Sequence, residues 1–144
     1  MRIFAVLLLF PLQVQAWEAY TEGPVCVLAH DTETHRTQVT HDPRRAKPYE
    51  IDLILDGAMW KPADVFSIHF EGPARLTIST TRHTLSRDQS TITAADTGFG
   101  NVLDGLEFNH TANAFLGDQA LLINLTGAAP EVRRFRDCTE RVGA

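Results

Sequence analysis

The sequence predicts a mainly β, antiparallel, sandwich-like domain with two helices. Apolar and polar residues alternate with a period of two in several short runs, as expected for half-buried strands. Turn residues such as Gly, Pro and Asp separate these runs. A helical period occurs at only two places, both late in the chain, and there is no β-α-β alternation. This pattern is typical of an all-β or α+β sandwich.

Five runs predict the first strands: the first is β-branched and apolar, the second is a polar edge strand, and the last three alternate. They span residues 24–31, 35–41, 49–56, 65–71 and 75–81. In the third run the apolar side chains share one face, and Glu50 and Asp52 lie on the other. Gly72-Pro73 separates the last two runs, which predicts a hairpin or a tight corner.

The remaining elements are short strands and two helices. Leu85 and Ile92 belong to two brief strands, and 107–115 with 119–125 predicts a hairpin. Apolar residues spaced i, i+3, i+4 and i+7 predict a short helix near 99–106. A proline close to its start favours a C-terminal helix near 129–138.

The first residues predict a secretory signal peptide over 1–16. Arg2 supplies the positive start, 3–12 is largely apolar, and Ala16 is the small residue before cleavage. The exported domain would then begin at Trp17. The apolar run is shorter than the roughly 20 residues that a membrane-spanning helix needs, so no stable span is expected after cleavage.

Residues 17–144 have the length of a single domain with its own core. Its two cysteines, Cys26 and Cys138, lie near opposite ends, and export would place them in an oxidising compartment. We therefore predict that they form a disulfide bond, with two buried free thiols as the alternative.

The charge and composition restrict the partners and the source. The formal net charge is −5, which argues against nucleic acid or an anionic membrane surface as the main partner. The basic residues are mostly arginine, which favours a bacterial source. Together with the predicted signal peptide, this predicts a periplasmic or secreted location.

Three histidines are the candidate metal ligands. His30, His35 and His41 flank the first predicted hairpin, and imidazoles at such positions can bind zinc or copper. Their spacing matches no known motif, and solvated histidines at strand ends are the alternative interpretation. We assign no cofactor on this basis.

No catalytic motif is present in the sequence. The chain lacks a Gly-x-Ser-x-Gly elbow, a phosphate-binding loop and a His-Glu-x-x-His pair. A hydrolase site assembled from His69, Glu50 and Asp52 is an alternative, since paired carboxylates can serve glycoside hydrolysis. A solvated polar strand face also explains the two carboxylates. Trp60 lies in a predicted loop, where it either caps the core or marks a binding surface.

The last part of the chain resembles the invasion-associated locus B family. The similarity covers mainly 99–138: the segment 102–106, a hairpin ending at 121–125, and the start of the final helix at 127–132. These are small, secreted, β-rich proteins of alphaproteobacteria. The chain departs from the family pattern because Thr21 stands at an expected cysteine and the middle cysteines are missing. The resemblance implies a role at the cell envelope in host contact, with no established enzymatic activity, and transfers no functional residue.

Together these observations predict a secreted or periplasmic, non-enzymatic domain that binds a protein or a cell-envelope component. A small periplasmic hydrolase and a metal-handling protein are the alternatives. An enzyme requires a concave pocket in which reactive groups converge, whereas a protein-binding module presents a flat apolar patch.

Overall fold

The computed structural model describes residue 9 and residues 16–142. The predicted signal peptide therefore lies outside the described residues, apart from Leu9 and Ala16. The elements in chain order are β1 (Glu18–Glu22), β2 (Val25–Asp31), β3 (His35–His41), β4 (Tyr49–Leu55), β5 (Phe66–Glu71), β6 (Leu76–Thr80), β7 (Thr84–Leu85), β8 (Thr91–Asp96), α1 (Gly100–Phe108), β9 (Thr111–Leu116), β10 (Gln119–Asn124) and α2 (Ala128–Val142).

The strands form two antiparallel sheets that enclose one core. The six-stranded sheet has the order β1-β2-β3-β4-β8-β7, and the four-stranded sheet has the order β10-β9-β5-β6. Leu28, Leu53 and Ile92 are completely buried on the inner face of the first sheet. Phe70 and Ile123 come from the second sheet and belong to the same hydrophobic cluster. The predicted mainly β, sandwich-like fold is thus confirmed.

Strand β1 is an element that the sequence pattern does not predict. It has few apolar side chains and flanking glutamates, yet it pairs along its whole length with β2. Trp17, just before it, is buried, and its indole N–H donates to the carbonyl oxygen of Asn124 at 2.9 Å. This bond joins the start of the domain to the end of β10 in the other sheet.

Both predicted helices are present, but their first and last residues differ from the predicted ones. Helix α1 runs two residues beyond the predicted 99–106, so the start of the strand predicted from 107 is helical. Asn109 ends the helix because its amide group donates to the carbonyl oxygens of Gly105 and Ala74, both at 3.0 Å. Helix α2 starts one residue before the predicted 129–138 and ends four residues after it.

A disulfide bond and ion pairs hold the helices in place. The predicted Cys26–Cys138 bridge is confirmed and joins α2 to β2 across a sequence separation of 112 residues. The guanidinium group of Arg136 in α2 donates to Asp104 at 2.7 Å and to Glu107 at 3.1 Å, both in α1. Within residue 9 and residues 16–142, no helix has the length and apolar character needed to cross a membrane.

Candidate functional site

The three candidate metal-binding histidines are buried on the inner face of the six-stranded sheet. His30, His35 and His41 are only 7–8% exposed, so the alternative of solvated histidines at strand ends is wrong. The ring of His30 stacks on Trp17 with the centroids 4.9 Å apart, and His41 meets Tyr49 edge-on at 4.6 Å. The strand register explains this, because it pairs His30 with Thr37 and His41 with Cys26, positions whose side chains face the core.

These histidines do not assemble into a metal site. In the part of the chain that the structure describes, no three His, Cys, Asp or Glu side chains are placed to hold one ion. Burial lowers the pKa of His30, His35 and His41, so the neutral imidazole is favoured. Each ring also has one buried nitrogen without a hydrogen-bond partner among the described residues. They therefore fill the core as uncharged aromatic groups.

The candidate hydrolase residues lie on opposite sides of the sandwich. Glu50 and Asp52 project from the outer face of β4, whereas His69 projects from the outer face of β5 in the other sheet. His69 packs there against Phe115, with ring centroids 4.8 Å apart. The two sheets and the core separate His69 from the carboxylates, so the structure does not bring the three residues together.

The two carboxylates belong to a polar network on the outer sheet face. Asp52 accepts hydrogen bonds from Thr93 at 2.6 Å and from Gln38 at 3.4 Å, and Glu50 accepts one from Arg45 at 2.8 Å. Burial, and then the negative charge of Asp52, raise the pKa of Glu50. The interpretation as a freely solvated face is therefore too simple, because each group has protein partners that order the strands.

The loop between β3 and β4 and the residue Trp60 also have structural partners. In that loop, Arg44 binds Asp42 at 2.9 Å and holds the pKa of that carboxyl at about 2. Arg45 pairs with Glu50, as described above. Trp60 is 1% exposed and donates from its indole N–H to the carbonyl oxygen of Leu53 at 3.1 Å. It closes the core and is not a binding surface.

A cleft of about 480 Å³ lies between the two sheets, and we call it the intersheet cleft. Strands β4 and β8 form one wall, β5 and β6 form the other, and the start of α1 closes one end. Its floor consists of the buried hydrophobic side chains Ile51, Phe66, Ile68, Phe99 and Val102.

Small side chains leave room for the intersheet cleft, and aromatic packing forms the end of the cleft at α1. Ala94 on β8 faces Ile51 across the strand pair, where a larger residue would fill the cleft. Phe99 stacks on Tyr49 with ring centroids 5.5 Å apart, and the carbonyl oxygen of Phe99 accepts the first hydrogen bond of α1, from Leu103 at 2.8 Å. These contacts fix the start of the helix at the end of the cleft.

The rim of the cleft is polar. It includes Ser79, Thr80, Arg82, Asp96 and Asn101. The hydroxyl of Thr80 accepts the backbone N–H of Arg82 at 3.0 Å, and the carboxylate of Asp96 accepts the backbone N–H of Thr97 at 2.7 Å. The arrangement is an apolar interior with hydrogen-bonding groups at the entrance, which is the usual composition of a small-molecule site.

Sequence reasoning missed this cleft, because its lining comes from five elements that are far apart in the chain. The pattern places Phe99 and Val102 on an apolar helix face, but it does not show that β6 and β8 lie opposite each other. The adjacent alanines Ala94 and Ala95 are the one local signal, since small residues in a core strand leave room beside them.

Comparisons with protein-family models, with curated proteins and with solved structures give no match. The function is therefore argued from the fold and the intersheet cleft alone.

Proposed function

We propose that this protein is a secreted or periplasmic, non-enzymatic binding domain that holds a small, largely apolar cell-envelope component in the intersheet cleft. The observation that carries the proposal is the cleft itself, with its apolar floor and polar rim. Its volume of about 480 Å³ lies within the range of roughly 300–1,000 Å³ that is common for small-molecule sites. A ligand with an acyl chain or a similar hydrocarbon body fits this chemistry.

The floor of the cleft supports binding without catalysis. It presents hydrocarbon side chains, and hydrocarbon contributes burial energy but no acid, base or nucleophile. Burying an apolar chain of a ligand yields about 0.8 kcal/mol for each methylene group. Affinity would therefore rise with the length of the apolar part until the cleft is full.

A small ligand agrees better with the surface than a large protein partner does. Stable protein interfaces bury about 800 Å² on each partner around an apolar centre. Among the described residues, only five large hydrophobic side chains are exposed, and one of them, Leu9, belongs to the predicted signal peptide. The other four are Met59, Val65, Phe108 and Leu122.

The location and the family remain part of this proposal. The signal-peptide pattern over 1–16 and the Cys26–Cys138 disulfide are compatible with export to an oxidising compartment. The resemblance to the invasion-associated locus B family, which implies a role at the envelope, stays a prediction.

A neutral apolar dye, N-phenylnaphthylamine, provides the test. We expect its fluorescence to increase on saturable binding to the disulfide-bonded domain over residues 17–144. Ala94→Phe should abolish this increase because the new ring fills the cleft. Ala120→Phe is the matched control, since Ala120 is exposed on β10 and does not line the cleft. Absence of saturable binding to the wild type, or equal binding by both variants, would overturn the proposal.

A further inference from the structure

Arg82 is a basic residue at the rim of the cleft without an acidic partner. It is exposed, and its backbone is held at the end of β6 by the hydrogen bond to Thr80. Among the described residues, its guanidinium group forms no salt bridge and no side-chain hydrogen bond. Most other arginines near carboxylates are paired, as Arg136 is with Asp104 and Glu107.

Asp96 carries the opposite charge at the same rim. One of its carboxylate oxygens already accepts the backbone N–H of Thr97 at 2.7 Å and its hydroxyl at 3.4 Å. Asp96 and Arg82 do not pair with each other, although both line the cleft. The guanidinium group therefore keeps its donors available, while the carboxylate has used part of its accepting capacity within the turn.

We infer that the ligand of the intersheet cleft is an anionic amphiphile whose acidic head group pairs with Arg82 while its hydrocarbon chain lies on the apolar floor. This inference rests on the proposed function. The guanidinium group is suited to the task because it remains charged and can donate two parallel hydrogen bonds to a carboxylate or a phosphate. The negative charge of Asp96 would repel the same acidic head group and weaken its binding. Arg82 and Asp96 together would therefore determine the head-group specificity.

The experiment compares ligands that share one chain and differ in head group. Isothermal titration calorimetry at a pH of about 7.5, where carboxylates are ionised, would use decanoate, decyl phosphate, decanol and decylammonium. We expect the two anions to bind more tightly than decanol, and decylammonium to bind most weakly. The ratio of decanoate to decyl phosphate affinity then separates a fatty-acid ligand from a phosphate-bearing one.

Three variants test the role of the rim. Arg82→Gln should weaken decanoate binding about three- to tenfold and leave decanol unchanged, as expected for one charge-assisted contact near the surface. Asp96→Asn should strengthen decanoate binding. Arg87→Gln is the matched control, because Arg87 is exposed in the turn after β7 and does not line the cleft.

The outcomes separate this inference from the proposed function. If decanoate and decanol bind with equal affinity and Arg82→Gln changes neither affinity, the anionic head group is refuted, whereas the apolar cleft as a binding site is not. Failure of all four compounds to bind would overturn both. Equal weakening of decanoate and decanol by Arg82→Gln would show a general disturbance of the cleft and would also refute the pairing.

Discussion

Gly105 sets how closely helix α1 approaches strand β5, and its substitution by alanine is a sharp test of the packing. A Cβ atom added at Gly105 would lie 2.5–2.7 Å from three ring carbons of Phe70, whereas ordinary carbon contacts are about 3.5–4.0 Å. Phe70 is completely buried, so its ring cannot turn towards solvent without displacing its neighbours in the core. Either the ring or the helix must therefore shift.

Two opposing effects determine the stability of Gly105→Ala. Alanine in a helix interior is favoured over glycine by about 1 kcal/mol. Overpacking a well-filled core costs about 1–3 kcal/mol. Because the overlap involves a completely buried ring, we expect the packing term to dominate and the free energy of unfolding to fall by about 1–2 kcal/mol. This corresponds to a melting temperature about 3–10 °C lower.

Thermal and urea unfolding followed by circular dichroism would measure this change, and Gly100→Ala is the matched control. An added Cβ at Gly100 meets nothing within 4 Å, and this glycine has no positive φ. Gly100→Ala should therefore leave stability unchanged or raise it by up to about 1 kcal/mol. If Gly105→Ala is as stable as the wild type, the close packing of α1 on Phe70 is wrong.

Two further predictions concern the buried histidines and the disulfide. Burial places the folded-state pKa of His30, His35 and His41 below the unfolded value of about 6.5, so the unfolded chain binds more protons. The three histidines therefore make their full contribution to stability above pH about 6.5, and the free energy of unfolding decreases as the pH falls below that value. Urea midpoints measured between pH about 7.5 and 5.5 should fall accordingly, and they should fall less in His30→Phe. A midpoint that does not change with pH would contradict the prediction. Replacing Cys26 and Cys138 by alanine should lower the free energy of unfolding by about 2–5 kcal/mol, since a long loop is no longer closed; an unchanged urea midpoint would contradict a stabilising bridge.

Local chemistry was sufficient to predict most of the elements. Alternation with a period of two marks β4, β5 and β6, because each presents one face to the core and the other to solvent. The spacing of apolar residues marks both helices, and the presence of only two cysteines leaves a single possible intramolecular pair. The strands and helices follow from residues that are close together in the chain, and the disulfide pairing follows from the number of cysteines.

Periodicity does not identify the sheet to which an outward residue belongs. Glu50 and His69 both point outward, as their patterns indicate, but the outer faces belong to different sheets and no shared site exists between them. Burial of His30 and His41 likewise depends on the neighbouring strands and on Trp17, not on the polarity of their own strand.

The sequence by itself thus determined the fold class, the helices and the disulfide pairing of this protein. Only the tertiary structure decided the position of β1, the burial of the histidines and the existence of the intersheet cleft. The physical reason is that the cleft lies where β4 and β8 face β5 and β6, and these neighbours arise from antiparallel pairings between distant segments, such as β4 with β8 and β5 with β9. Such contacts depend on how whole sheets pack, which the alternation within one strand does not specify.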